Sequence, residues 1–214
     1  NAFDTCAIES NPLWKDRFGP GCVNVIVGNP PWGAPGTKAN PETKERQRIM
    51  LQWCKDNKRT IGDKEPSQAF IWRALDLLKP NGDAGLLVSA GVLFKHGPMS
   101  QTFRANWLDN VQLNEVFNFT HVRKMFFRGA DSPFLAVAFS KRKQNDKPVL
   151  YGSAKRTLNL SRQQIVAFSK HDIHLVLQSR DCIEHIQGIN EFVESIARVL
   201  KPGGIFIFEI PNYL

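Results

Sequence analysis

The stretch "VIVGNPPWG" (25–33) gathers groups that could do chemistry at one point of the chain. Asn29 brings an amide side chain, Pro30 a backbone carbonyl that cannot pivot freely, and Trp32 a large flat aromatic ring. Pro30 and Pro31 each lack the N–H that a sheet ladder needs, so any strand before them stops at Asn29 and a rigid corner follows. Asn29 has no useful pKa near neutrality, so the corner can accept hydrogen bonds and orient a polar group but cannot act as a general base. The bland alternative is a strand end with a proline turn, in which Trp32 is core or surface filler.

Elements must position such a corner. Val23, Val25, Ile26 and Val27 form a short run rich in β-branched residues, which predicts a buried strand. Residues 33–66 are polar and rich in Pro, Gly and Lys, which predicts a long, functional or mobile connection. It carries "KERQR" (44–48) and "KDNKR" (55–59), with Trp53 between them. "SQAFIWRALDLLKPNG" (67–82) predicts a helix capped by Ser67 and ended by Pro80 and Gly82. A buried strand and its exit follow over 84–94, then a helix over 100–110, and strands over 113–119 and 132–141. Residues 142–160 read as a linker or edge hairpin. The order predicts an α/β sheet whose last strand is antiparallel.

The totals bound the class. With 214 residues, 42% hydrophobic and 22% charged, the chain is globular, with room for one large domain or two small ones. No stretch approaches the ~20 apolar residues of a membrane span, and no secretory signal opens it. Cys6, Cys22, Cys54 and Cys182 are widely spaced with no Cys-x-x-Cys, so neither a zinc site nor a disulfide framework is expected, and a reducing cytoplasm is. Residues 171–214 hold three basic and six acidic residues, a net −3; with +8 overall, residues 1–170 carry +11. A field of that sign favours a polyanionic partner. Lys44, Arg46, Arg48, Lys55, Lys58 and Arg59 are candidate phosphate contacts, or else a solvated charged face.

"NPPW" (29–32) resembles the (Asp/Asn)-Pro-Pro-aromatic signature of amino-group methyltransferases that use S-adenosylmethionine. That signature is shared by amino DNA methyltransferases, some RNA guanine methyltransferases and glutamine methyltransferases of release factors. The elements that follow, through "LLKPNG", "AGLLVSAGVLF", "FRANWL", "LNEVFNF", "MFF" and "SPFLAVAFSKRK", narrow it. Over roughly residues 1–145 the chain resembles the catalytic domain of adenine-specific DNA methyltransferases of bacterial restriction–modification systems. The large fused restriction–methylation enzymes are the nearest likeness.

The resemblance implies a class I, Rossmann-like methyltransferase sheet with an antiparallel last strand. It implies S-adenosylmethionine as cofactor, no metal, and double-stranded DNA as partner. A specificity or restriction subunit or domain, a cytoplasmic location and no membrane contact go with it. By the family's mechanism the Asn29 side-chain oxygen and the Pro30 carbonyl accept both hydrogens of an exocyclic amine, whose lone pair is otherwise delocalised into the ring. The prolines fix the carbonyl's direction. Trp32 stacks on the flipped base, and Phe126 or Phe127 covers its second face or is core. Asp4 matches the acidic residue near the cofactor's adenine. Only 28 residues precede Asn29, so the strands and loop that hold the cofactor are expected to be missing from this segment. RNA or glutamine-amide methylation, and a non-catalytic DNA-binding remnant, stand as alternatives.

An internal echo completes the reading. "FIWRALDLLKPNGDAGLLVSAGVL" (70–93) and "FVESIARVLKPGGIFIFEIPNYL" (192–214) are both a helix, Leu-Lys-Pro-x-Gly and an apolar strand. Residues 182–214 resemble the middle of small-molecule methyltransferases, in which Glu184-His185 would lie near cofactor or substrate. The expected organisation is a partial catalytic domain over 1–145, a basic linker over 146–181 and a truncated second unit over 182–214.

Overall fold

A computed structural model describes residues 2–13, 17–127, 132–143, 147–163 and 165–178. The second Leu-Lys-Pro-x-Gly unit, with Glu184 and His185, lies outside the described residues, as does its predicted placement apart from the first unit.

Six strands form one mixed sheet in the order β1-β2-β4-β3-β5-β6. Strand β1 (Val23–Gly28) runs parallel to β2 (Leu78–Ser89), Val25 opposite Asp83 and Gly28 opposite Leu86. Strand β4 (Phe134–Ser140) lies antiparallel between β2 and β3 (Gln112–Asn118). That is the expected α/β sheet with an antiparallel strand late in the chain. Within the stretch 142–160, β5 (Val149–Ser153) adds parallel to β3, and β6 (Ile173–Val176) then adds antiparallel to β5.

Helices cover one face. Helix α1 (Thr5–Glu9) is a single turn capped by Asp4. Helix α3 (Pro66–Leu77) starts at a proline and buries Ile71, Trp72, Ala74 and Leu75. After the single turn α4 (Gly91–Phe94), α5 (Pro98–Leu108) buries Phe103 and Trp107. These side chains pack with Ala84, Leu86 and Val88 of β2 and Leu135, Val137 and Phe139 of β4 in one core. The alternation along β2 sends Gly85 and Leu87 to the opposite face. Among the described residues no helix is long and apolar enough to cross a membrane.

Two local expectations change. The connection 33–66 contains a sixteen-residue helix, α2 (Pro41–Asp56). Its start signal is Asn40-Pro41: the Asn40 side chain accepts from Thr43 N–H, and Pro41 fills a position that needs no donor. Met50, Trp53 and Cys54, spaced i, i+3, i+4, turn its narrow apolar stripe into the core. Second, α3 ends at Leu77, before Pro80. Residues Leu78–Pro80 are already strand: Leu78 pairs with Val23, and its carbonyl accepts from the Lys141 ammonium at 2.7 Å. Gly82 is required where β1 comes close, since a Cβ there would stand 2.8 Å from the Asn24 carbonyl oxygen. The stretch 84–94 is, as expected, a strand and its exit: the end of β2, then the turn α4.

Edge strand β1 keeps Val25 and Val27 63% and 84% exposed, although its sequence predicts a buried strand. Within the described residues only β2 flanks it. At the far side of the sheet, Gln178 fastens the chain back onto the start of β3. Its amide NH2 donates to the Leu108 and Val111 carbonyls, and its oxygen accepts from Leu113 N–H at 2.6 Å. The side chain is fully buried, so removing it strands buried backbone groups. Gln178→Ala is expected to cost about 3 kcal/mol of unfolding free energy, read as a lower urea midpoint with an unchanged slope.

Candidate site at the end of strand β1

Where β1 stops, Asn29 and Pro31 are exposed and Pro30 is buried. Among the described residues nothing hydrogen-bonds the Asn29 side-chain amide. Trp32 and Gly33 are tied to different groups, and Pro31 makes a long contact. Pro31 O lies 3.5 Å from the Ser67 hydroxyl, the Trp32 indole N–H donates to the Leu87 carbonyl at 2.9 Å, and Gly33 N–H donates to the Glu65 carboxylate at 3.1 Å. Ser67 is itself held: it donates to Glu65 at 3.0 Å and accepts from Ser89 N–H at 3.2 Å. The corner is thus fastened to the first turn of α3 and the last residues of β2, both anchored in the core. Gly33 has φ +73°, a left-handed conformation that glycine adopts without strain.

Aromatic rings close around the tryptophan. Trp32 stacks on Phe134 with centroids 5.0 Å apart and planes 15° from parallel, and meets the edge of Phe127 at 5.3 Å. Phe134 stacks in turn on Phe119. A short helix, α6 (Arg123–Phe126), presents Phe126, 49% exposed, against Phe119 and Phe134. The structure therefore brings Trp32 and Phe127 into contact and holds Phe126 one ring away. Phe126 and Phe127 both edge onto Phe134 because the short helix ends between them.

The other sequence candidates are placed apart. Asp4 accepts from Ala7 N–H at the start of α1 and lines a cleft with Phe18, Trp53, Arg73 and Arg48. That cleft does not include the corner. Arg46 and Arg48 pair with Glu42 and Glu45 along α2. Lys44, Lys55 and Lys58 are exposed, whereas Arg59 is half-buried with its guanidinium 4.9 Å over the Trp72 ring. A cavity of about 670 Å³ is lined by Pro31, Trp32, Gly33, Arg46, Met50 and Phe70. Asn29 lines a separate one of about 480 Å³ with Val27, Leu87, Phe117 and Ala136. The corner stands between two hollows.

Burial pushes the Cys54 thiol up to about 11, so it stays protonated near neutrality and is no nucleophile. Among the described residues no three His, Cys, Asp or Glu side chains converge as metal ligands would. The chemistry this place offers is neutral acceptance by Asn29 and the Pro30 carbonyl beside aromatic planes. Glu65 and Phe134 are absent from the sequence expectations, and Ser67 stands there only as the helix cap, a place that Glu65 takes, accepting from Ser67 N–H. The Glu-Pro-Ser start of α3 was visible, but its pairing with a corner 32 residues upstream leaves no local pattern.

The family model described as Eco57I restriction-modification methylase matches residues 4–126. A methyltransferase-domain model matches 129–208, of which 179–208 lie outside the described residues. No curated protein gives a significant match. The type IIG restriction endonuclease BpuSI superposes with a TM-score of 0.54 at 18% identity, covering 94% of this chain and 24% of that one. A modification subunit of a proposed type I restriction enzyme from Vibrio vulnificus YJ016 gives 0.47 at 16%, covering 78% and 40%. The M protein of the type I restriction enzyme EcoKI gives 0.45 at 16%, covering 80% and 30%. The chain spans between a quarter and two fifths of these structures.

The ring cluster makes a stability prediction. Phe134→Ala removes the hub and is expected to cost about 3–5 kcal/mol. Phe126→Ala, at an exposed ring, is expected to cost less than about 1 kcal/mol. Urea unfolding of the two variants side by side measures the contrast, and equal costs would contradict it.

Proposed function

We propose, from the premise that this chain belongs to the Eco57I restriction-modification methylase family, that its corner at 29–32 orients the exocyclic amine of adenine in DNA for methylation. The observation that carries the reading is an exposed Asn29 amide with no partner among the described residues, next to a carbonyl fixed between two prolines, on a corner tied down at Trp32 and Gly33. An aromatic amine is a poor nucleophile because its lone pair is delocalised. Two acceptors that take both its hydrogens favour a pyramidal nitrogen with an available pair. Asn29 Oδ1 and Pro30 O have that chemistry, and the proline rings hold the second without any entropy cost at the moment of reaction.

In this reading Trp32 and Phe126 are stacking surfaces for a base turned out of the duplex, which replaces part of its lost stacking. Trp32 already lies with one face on Phe134, so it offers the remaining face. Phe127, edge-on to Trp32, sets the wall between them. The exposed Lys44, Lys55 and Lys58, with Arg46 and Arg48, are the proposed phosphate contacts. Arg59, held over Trp72, is the weakest of the set. Double-stranded DNA and a specificity or restriction subunit or domain are the proposed partners.

The cofactor proposed is S-adenosylmethionine, which supplies an electrophilic methyl group. The described residues fit the acceptor side of the transfer. The Asp4 carboxylate, expected near the cofactor's adenine, instead accepts from Ala7 N–H in a cleft that excludes the corner. That observation favours a second reading, a DNA-binding segment without catalysis of its own. Calorimetry with S-adenosylmethionine separates the two: binding supports the enzyme, and no binding by the full-length protein supports the second reading. RNA or a protein glutamine amide would suit the same corner; the +11 balance of residues 1–170 favours nucleic acid over glutamine.

Two outcomes are expected. Asn29→Ala should slow single-turnover methyl transfer about 10²–10³-fold, with cofactor affinity within several-fold of wild type. Full-rate transfer by this variant would remove the role assigned to Asn29. Duplex DNA binding should weaken steeply with salt: with about five phosphates contacted, the slope of log affinity against log salt should lie near −4 to −5. A slope near zero would mean that the positive charge serves only solubility.

A further inference from the structure

We infer that Glu65 is a positioning residue for the corner, setting through Gly33 and Ser67 the direction in which Asn29 and Pro30 aim their oxygens; this rests on the amine-methylation reading above. One carboxylate oxygen of Glu65 lies 3.1 Å from Gly33 N, 3.2 Å from Ser67 N and 3.0 Å from Ser67 Oγ. It therefore joins the exit of the corner to the start of α3. A carboxylate at a helix start is favoured by the unpaired N–H groups there, so the anchor is stable in itself. A charged acceptor also makes the stronger kind of hydrogen bond.

The hydroxyl of Ser67 shows what the carboxylate decides. Ser67 is fully buried and has one proton to give, with Glu65 Oε1 at 3.0 Å and Pro31 O at 3.5 Å as acceptors. While Glu65 takes it, the oxygen of Ser67 faces Ser89 N–H and Pro31 O keeps only a long contact. Without Glu65 the proton turns to Pro31 O, two residues from Asn29, and Gly33 N–H loses its acceptor. Strand β1 cannot correct the resulting shift, because it is held on one side only within the described residues and leaves Val25 and Val27 exposed. The corner's geometry thus depends on a clamp made by the neighbouring helix and strand, with Glu65 as its charged member.

The test uses the full-length protein with Glu65→Ala, Glu65→Gln and Glu65→Asp. Two readouts are taken: single-turnover methyl transfer with the KM for DNA, and the indole N–H resonance of Trp32, identified by its absence in Trp32→Phe. Glu65→Ala is expected to slow transfer about 10–100-fold, the size of effect that a misplacement near 1 Å produces, with KM and cofactor affinity within about threefold. It should also move the Trp32 resonance. Glu65→Gln keeps an oxygen acceptor and should recover most of both. Should Glu65→Ala fail to fold, Glu65→Asp takes its place: it caps the helix but falls one methylene short of Gly33, and should show the same losses. Wild-type transfer in Glu65→Ala, an unmoved Trp32 resonance, or a folded Glu65→Gln as impaired as Glu65→Ala would each overturn the inference. If the wild-type protein transfers no methyl group, the functional reading fails, and the resonance alone decides whether Glu65 positions the corner.

Discussion

Two consecutive prolines cannot join a sheet ladder, and the arrangement of this site follows from that constraint. Pro30 and Pro31 end β1 and stiffen the chain, but they also remove the hydrogen bonds that would hold the next residues to a neighbour. The structure makes up for the loss with bonds from other elements. Leu87 of β2 takes the Trp32 indole N–H, and Glu65 at the α3 start takes the Gly33 N–H. A covalently stiff corner on a tied base is a preorganised acceptor, which is the property that catalysis by hydrogen-bond acceptance needs.

The same constraint explains the aromatic cluster. A tryptophan that follows a proline corner is thrown clear of the strand, and it needs an apolar surface. Phe134, at the first position of β4, supplies that surface because β4 runs antiparallel to β2 and so starts at the end where β1 stops. Placing one antiparallel strand inside the sheet thus brings residues a hundred positions apart into stacking contact. BpuSI shares the fold over 94% of this chain at 18% identity.

Local patterns carried much of this. The β-branched run, the proline stop, the apolar spacing of 67–78 and the alternation of 113–119 each report on near neighbours, and β1, α3 and β3 were legible in them. Family membership was legible in the four residues 29–32 and the order of the elements after them. Helix α2 was missed because its apolar stripe is only three buried residues wide in a highly charged stretch, so polarity masked the Asn40-Pro41 start. The end of α3 was misplaced because Leu78 pairs with Val23, fifty-five residues upstream, and pairing overrides a local proline stop. Glu65, Ser67 and Phe134 act across the fold and left no periodic trace. The exposure of Val25 and Val27 reflects which neighbours flank β1, which composition does not report.

The central claim is that Asn29 and Pro30 together grip one amine. The most direct measurement is a structure of the full-length protein bound to its DNA site, from which the position of the target base is read. The account predicts the exocyclic nitrogen of an adenine within about 3.2 Å of both Asn29 Oδ1 and Pro30 O, with the base against the free face of Trp32. A target nitrogen that meets neither oxygen, or a base seated away from the corner, would contradict it.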